Sequence, residues 1–296
     1  MGHMLRQPNL WLRPGRVTVM HRLPDYNITI SLKEHPMSKH NALTTFGRSG
    51  NPMFRGETFK PDATFAEAES SGRMTLAGTV NKTGILLVLC LVTASFTWNI
   101  FFRTGDPAAV SGLLWIGLIG GLILALVTIF KREWAGVTAP LYALAEGLAL
   151  GGISAMFEAQ YPGIVIQAMG LTFGTLGVLL LAYKSGLIKP TENFRLMIVA
   201  ATGGIALLYL VSFVMGFFGS SIGFIHSNGL FGIGFSLFVV AIAALNLVLD
   251  FDFIEEAAEQ GAPKYLEWYG AFSLMVTLIW LYLEILRLLA KLRSRN

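Results

Sequence analysis

Leu245–Arg295, LNLVLDFDFIEEAAEQGAPKYLEWYGAFSLMVTLIWLYLEILRLLAKLRSR, sets the reading of the whole chain. It holds two segments apolar enough to lie in a bilayer, joined by a short polar turn, and both segments contain ionisable side chains. A carboxylate at membrane depth costs at least ~2.5 kcal/mol on insertion scales. Asp250, Asp252 and Glu284 are therefore candidates for function by default.

The composition extends this picture to the rest of the chain. Of 296 residues, 54% are hydrophobic and 14% charged, and the mean hydropathy is +0.60, outside the range of a soluble chain with one packed core. An all-α polytopic membrane protein is expected. Residues 1–79 hold ten Lys/Arg against six Asp/Glu, and residues 80–296 hold twelve of each, so the net charge of +4 sits wholly in the amino-terminal part. That excess suits anionic lipid headgroups; no basic run with interleaved aromatics speaks for nucleic acid. The single cysteine, Cys90, excludes an internal disulfide framework.

Residues 1–79 carry Pro, Gly, Asn and cations without sustained apolar periodicity, and are expected to form a disordered basic cytoplasmic tail. They lack the apolar core of a signal peptide. From residue 80 a single transmembrane domain is expected, with apolar runs at roughly 83–102, 109–130, 137–157, 163–183, 195–217, 230–253 and 268–290, each about the ~20 residues needed to cross ~30 Å of hydrocarbon. Short connections make consecutive helices antiparallel neighbours. Paired glycines at Gly117/Gly121, Gly147/Gly151, Gly170/Gly174 and Gly219/Gly223 have the spacing that lets helix backbones approach closely.

Lys and Arg in short loops orient the spans. Arg73, Lys82, Lys131, Arg132, Lys184, Lys189, Arg195 and Lys264 fall on the amino-terminal side and only Arg103 on the other, which puts the amino terminus in the cytoplasm. Seven spans then put the carboxy terminus outside, although it carries Arg287, Lys291, Arg293 and Arg295. Either the last helix stops short of crossing, or the earlier spans fix the topology despite these cations.

Helical geometry sorts the acids. Asp250 follows Asn246 by one turn and shares its face, whereas Asp252 is rotated by about 200°. Asp250 is the better interior site, its alternative being a carboxylate at a helix end; Asp252 is expected at the cytoplasmic interface beside Glu255, Glu256 and Glu259. Glu146 lies about 13 Å into the third span, with Tyr142 one turn earlier as a hydrogen-bond donor. It serves either as an ion ligand or as interhelical glue. Glu284 lies about 24 Å along the seventh span, too far from Asp250 to touch it, and is placed to pair with Arg287 at i+3. Ser273 and Thr277 line up on nearly the face of Glu284, a polar stripe directed into the bundle.

Other chemistries lack their parts. Gly219-Ser220-Ser221-Ile222-Gly223 matches the nucleophile pattern G-x-S-x-G but sits at a loop between helices, without the strand-to-helix context. His226 is the only histidine after residue 79, so no multi-histidine metal or haem site can be built there. No catalytic residues and no cofactor are expected, and the chain is not read as an enzyme.

Three pieces of the sequence resemble the Bax inhibitor, or transmembrane Bax inhibitor motif, family: Ala145-Glu146-Gly147-Leu148-Ala149-Leu150-Gly151, Leu249-Asp250-Phe251-Asp252, and Ala271-Phe272-Ser273-Leu274 through Leu286-Arg287-Leu288-Leu289. The likeness covers about residues 80–296. It implies seven helices with the last one central, and a pH-sensitive calcium leak governed by acids on helices six and seven. Asp250 matches the acid of helix six. The register fixed by Ser273, Leu274 and Arg287 puts Thr277 at the second acid, a shifted register supplies Glu284, and Glu146 is the nearest substitute.

Two functions from different classes follow. The first is a cation leak, Ca²⁺ being the expected ion, with Asp250 and Glu146 as oxygen ligands and Asp252, Thr277 and Glu284 as further pathway or pH-sensing candidates. The second is a non-catalytic interaction protein that regulates a membrane protease or another membrane partner. The expected setting is the bacterial inner membrane, with lipid, Ca²⁺ or H⁺ and a possible membrane-protein partner as the contacts.

Overall fold

A computed structural model describes residues 72–219, 223, 227 and 229–295, together with the backbone of three strands near the amino terminus. These strands, β1 (Leu12–Arg13), β2 (Arg16–Leu23) and β3 (Tyr26–Leu32), form an antiparallel meander in which Val19 pairs with Ile30 and Leu23 with Tyr26. They belong to a separate amino-terminal unit. Elsewhere the expected disorder of residues 1–79 lies outside the described residues, except that helix begins at Leu76. Ser220 and Ser221 of the G-x-S-x-G match, and His226, also lie outside them.

Seven helices follow: α1 (Leu76–Thr104), α2 (Ala108–Phe130), α3 (Ala135–Gln160), α4 (Ile164–Lys184), α5 (Glu192–Phe217), α6 (Leu230–Glu259) and α7 (Leu266–Arg293). All seven are long and apolar enough to span a bilayer. They outrun the apolar segments of the sequence because polar residues cap and extend them. Thr75 accepts the Gly78 amide at the start of α1, and Gly105, with φ of 66°, ends it in the left-handed conformation that glycine adopts without steric cost. Thr191 caps α5 in the same manner as Thr75.

Helix α7 is central. It packs against α1, α3, α4 and α6, and its Tyr269, Phe272, Met275, Leu281 and Leu286 fill the main core. Helix α5 is peripheral, held to α6 through Ile198, Ile205, Val239, Ile242 and Leu249. Within a bilayer such contacts are won by close packing, since lipid tails are as apolar as leucine. The glycine pairs show where this happens. A Cβ on Gly147 would lie 2.3 Å from the Cys90 carbonyl oxygen, one on Gly151 2.2 Å from that of Ala94, and one on Gly117 2.6 Å from that of Ala145. These glycines seat α3 directly on α1 and α2. Gly170, Gly174, Gly219 and Gly223 correct the expectation made from spacing: nothing lies within 4 Å of a Cβ on any of them.

Candidate functional site

Helices α6 and α7 are antiparallel neighbours across the tight turn at Gly261–Pro263, so residues nine before the end of α6 and a similar distance into α7 meet at one level. Asp250 lies there, fully buried at 0% exposure. At ~1.5 Å per residue it is roughly 14 Å from the end of α6, which rules out a helix-end, water-facing carboxylate. Ser273 Oγ donates to its Oδ1 at 2.9 Å and Thr277 Oγ1 to its Oδ2 at 2.6 Å. The polar stripe of α7 thus ends on the acid of α6. Among the described residues no cation pairs with Asp250; two hydroxyl dipoles satisfy it instead, a weaker arrangement for an ionised carboxylate than a salt bridge.

Asn246, one turn back, turns to α5. Its amide donates to Thr202 Oγ1 at 2.8 Å and to the Ile242 carbonyl at 2.8 Å. Asp252 faces away, as its rotation requires, and forms an ion pair with Arg195 at the start of α5. Glu255 accepts from the Tyr183 hydroxyl of α4. Asp252 and Glu255 therefore fasten α5 and α4 to the end of α6.

Glu146 does not join Asp250. It faces α2, packed so close to Gly121 that a Cβ there would lie 2.6 Å from its Oε2. Helices α3 and α6 share no packed interface, because α7 stands between them. Tyr142 gives Glu146 no hydrogen bond and instead sets its ring edge-on to Phe272, centroids 4.9 Å apart. The expected two-acid ligand set of Asp250 and Glu146 is thus divided between two walls of the bundle. Among the described residues, no group of three or more His, Cys, Asp or Glu is placed to hold a metal ion.

Glu284 is the second deeply buried acid, at 2% exposure. Its Oε1 accepts from Arg287 Nη1 at 2.8 Å and from the Tyr209 hydroxyl at 2.9 Å, while Oε2 is buried without a hydrogen-bond partner. The i+3 pairing read from the sequence is present, and Tyr209 of α5 completes a triangle, accepting from Arg287 at 2.9 Å. Lys291, one turn further, donates to the Gly232 carbonyl at 3.0 Å and Ser236 Oγ at 2.8 Å. Arg293 reaches the Pro162 carbonyl and Gln167. With α7 running uninterrupted over 28 residues, Arg287, Lys291 and Arg293 in its last turns bond to α4, α5 and α6 or the segment before α4, and Lys291 does so from a buried position.

One acid escaped the sequence reading. Glu267, 1% exposed at the start of α7, accepts from the Thr75 amide and hydroxyl, each at 2.9 Å, and is ion-paired with Lys82. The residues just before α1 are held over the α6–α7 turn, with Met74 N donating to the Ala262 carbonyl at 2.7 Å and the Met74 side chain buried. A Cβ on Gly270 would meet Ile254, Thr79 and Met74 within 3.6 Å. This layer lies one turn below Asp250 and Ser273 and closes the bundle between them and that end. Glu267 reads in the sequence as an ordinary first-turn acid, and only the fold reveals what it clamps.

Comparisons with curated proteins and with solved structures each returned no match. Comparison with protein families matched residues 51–294 to the family described as Bax inhibitor 1 like. That span includes all seven helices and the Asp250 cluster, and the chain belongs to the Bax inhibitor 1 like family.

Proposed function

We propose that this protein is a pH-sensitive cation leak of the membrane, with Ca²⁺ as the expected ion and Asp250 as the gating carboxylate. The observation that carries the reading is a wholly buried acid whose partners among the described residues are the hydroxyls of Ser273 and Thr277 on the central helix. Ionised, Asp250 draws both hydroxyls toward it and ties α6 to α7. Protonated, it has one acceptor fewer and becomes a donor itself, so the tie between the helices changes with pH. A cation entering at this level competes with the same two hydroxyls for the carboxylate oxygens. Ca²⁺ takes 6–8 oxygen ligands, far more than this cluster offers, which suits transit through a weak site better than residence in a tight one. Thr277 stands where the second acid is expected, so the gate works with one carboxylate. Glu146, Asp252 and Glu284 take no part in it.

The setting proposed is a bacterial inner membrane with the amino terminus in the cytoplasm, supported by the loop charges. The protein acts without catalysis or cofactor, and nucleic acid is not a partner. The second reading, a membrane interaction protein that regulates a protease or another partner, draws on the same geometry: a carboxylate with both oxygens satisfied also serves as a structural tie. Purified protein reconstituted in liposomes with an enclosed Ca²⁺ indicator separates the two. The leak reading predicts flux above that of empty liposomes that varies with pH; flux equal to the empty control leaves the interaction reading.

A further inference from the structure

We infer that a crevice between α1 and α4 is a binding site for one acyl chain of a membrane phospholipid, drawn from the leaflet at the end where α1 finishes and α4 begins. The crevice has a volume of about 340 Å³ and four walls, with α1 and α4 at its sides and α3 and α7 behind. Helices α1 and α4 share no packed interface along it. Its rim includes Leu91 and Phe173, which are 45% and 43% exposed. The rim runs without a break into the apolar outer surface of the same two helices, at Val88, Val92 and Phe96 on one side and Ile166 and Leu171 on the other. That surface contacts lipid, so hydrocarbon is the medium that reaches the mouth.

The chemistry of the walls selects the occupant. Ser95 donates to the Leu91 carbonyl at 2.7 Å, Thr172 donates to the Ala168 carbonyl at 2.8 Å, and Ser154 and Tyr282 bond each other at 2.6 Å. The hydroxyls along the crevice are thus engaged with their own helices or with one another, and no charged group lines it. A cavity of this kind stays dry and accepts an apolar guest. Its walls on four helices leave a narrow slot between α1 and α4, a shape that suits one chain rather than the ~10 Å cylinder of a whole helix. A single flexible chain fits the space and the slit-like entry between two side chains.

The test uses the full chain in phosphatidylethanolamine–phosphatidylglycerol vesicles containing a trace of phosphatidylethanolamine with a mid-chain diazirine. After illumination, labelled peptides are mapped by mass spectrometry. Label on the α1 and α4 lining should exceed that on the exposed apolar surface of α5 around Leu207 and Leu210 by several-fold. Met169→Trp and Leu91→Trp fill the crevice from opposite walls and should each abolish the excess while the α5 label, the internal standard, stays constant. If one variant does not fold, the other still reads the site. Equal labelling of crevice and α5 in the wild type overturns the inference, and so does an excess that survives in a folded, filled variant.

Discussion

Asp250 and Glu284 are both carboxylates buried on the α6–α7 pair, yet the fold treats them differently. Glu284 is supplied with a cation, Arg287, and a phenol, Tyr209, and one of its oxygens is left bare. Asp250 is supplied with two hydroxyls, no cation, and no bare oxygen. Glu284, beside its counter-charge, is part of an ion pair that Tyr209 ties to the neighbouring helix α5. A buried charge held only by neutral dipoles keeps both protonation states within reach, because Ser and Thr hydroxyls can donate or accept by rotation. On the proposed reading the two acids divide the work: Glu284 braces the bundle and Asp250 responds.

The comparison breaks most visibly at the braced acid. Arg287→Met removes the counter-charge from Glu284 and one bond from Tyr209; Glu284 is buried but the Arg287 side chain is 40% exposed, so the cost should be about 2–3 kcal/mol, the range of a lost hydrogen bond to a charged group. A marked fall in melting temperature in detergent is expected, while protein that remains folded keeps the wild-type pH response. A changed pH response at unchanged stability would assign the responsive role to Glu284.

At the responsive acid the expected stability effect is smaller. Thr277→Val deletes the shorter of the two bonds to Asp250 with little change in volume, and a hydrogen bond to a charged group is worth about 1.5–3 kcal/mol. The loss should be about 1.5 kcal/mol, the lower end of that range, because Ser273 still donates to Asp250. Denaturation of the variant at several pH values checks this, and the deficit should shrink as the pH falls. A deficit equal at every pH would mean that Asp250 keeps one protonation state throughout.

The smallest effect is expected at the clamp. Glu267→Gln keeps the size and one acceptor oxygen for Thr75 or Lys82 but loses the charge of the pair with Lys82, whose side chain is 16% exposed. Stability should fall by about 1 kcal/mol, the net worth of one hydrogen bond, because the amide oxygen still accepts where one carboxylate oxygen did. Hydrogen exchange at Met74 and at Thr79, whose amides donate to Ala262 and Thr75, should speed up with little change deep in α7. Unchanged exchange at both amides would show that Glu267 does not hold the segment before α1.

The seven helices were legible because spans of this length have no soluble alternative, and the ends were misjudged because capping residues such as Thr75 and Thr191 are polar. The site was legible as far as helical periodicity reaches. It set Asp250 apart from Asp252, aligned Ser273 with Thr277, and paired Glu284 with Arg287. It fell short where the answer depends on which helices are neighbours. Glu146 has the depth of a pathway acid, but α7 separates its helix from α6. Gly170/Gly174 has the spacing of Gly147/Gly151, but only the latter meets another backbone. Lys291 reads as a terminal cation and is instead a buried donor to the start of α6. Spacing along one helix carries no information about the partner across from it.

The most direct measurement is Ca²⁺ flux against pH in liposomes for the wild type, Asp250→Asn and Thr277→Asp. Asp250→Asn keeps the shape and removes the charge, so flux should lose its pH dependence. Thr277→Asp sets a second carboxylate beside the first, and because two like charges at this range resist ionising together, the transition should move to higher pH. Flux with the same midpoint in all three proteins would contradict the assignment of Asp250 as the gate.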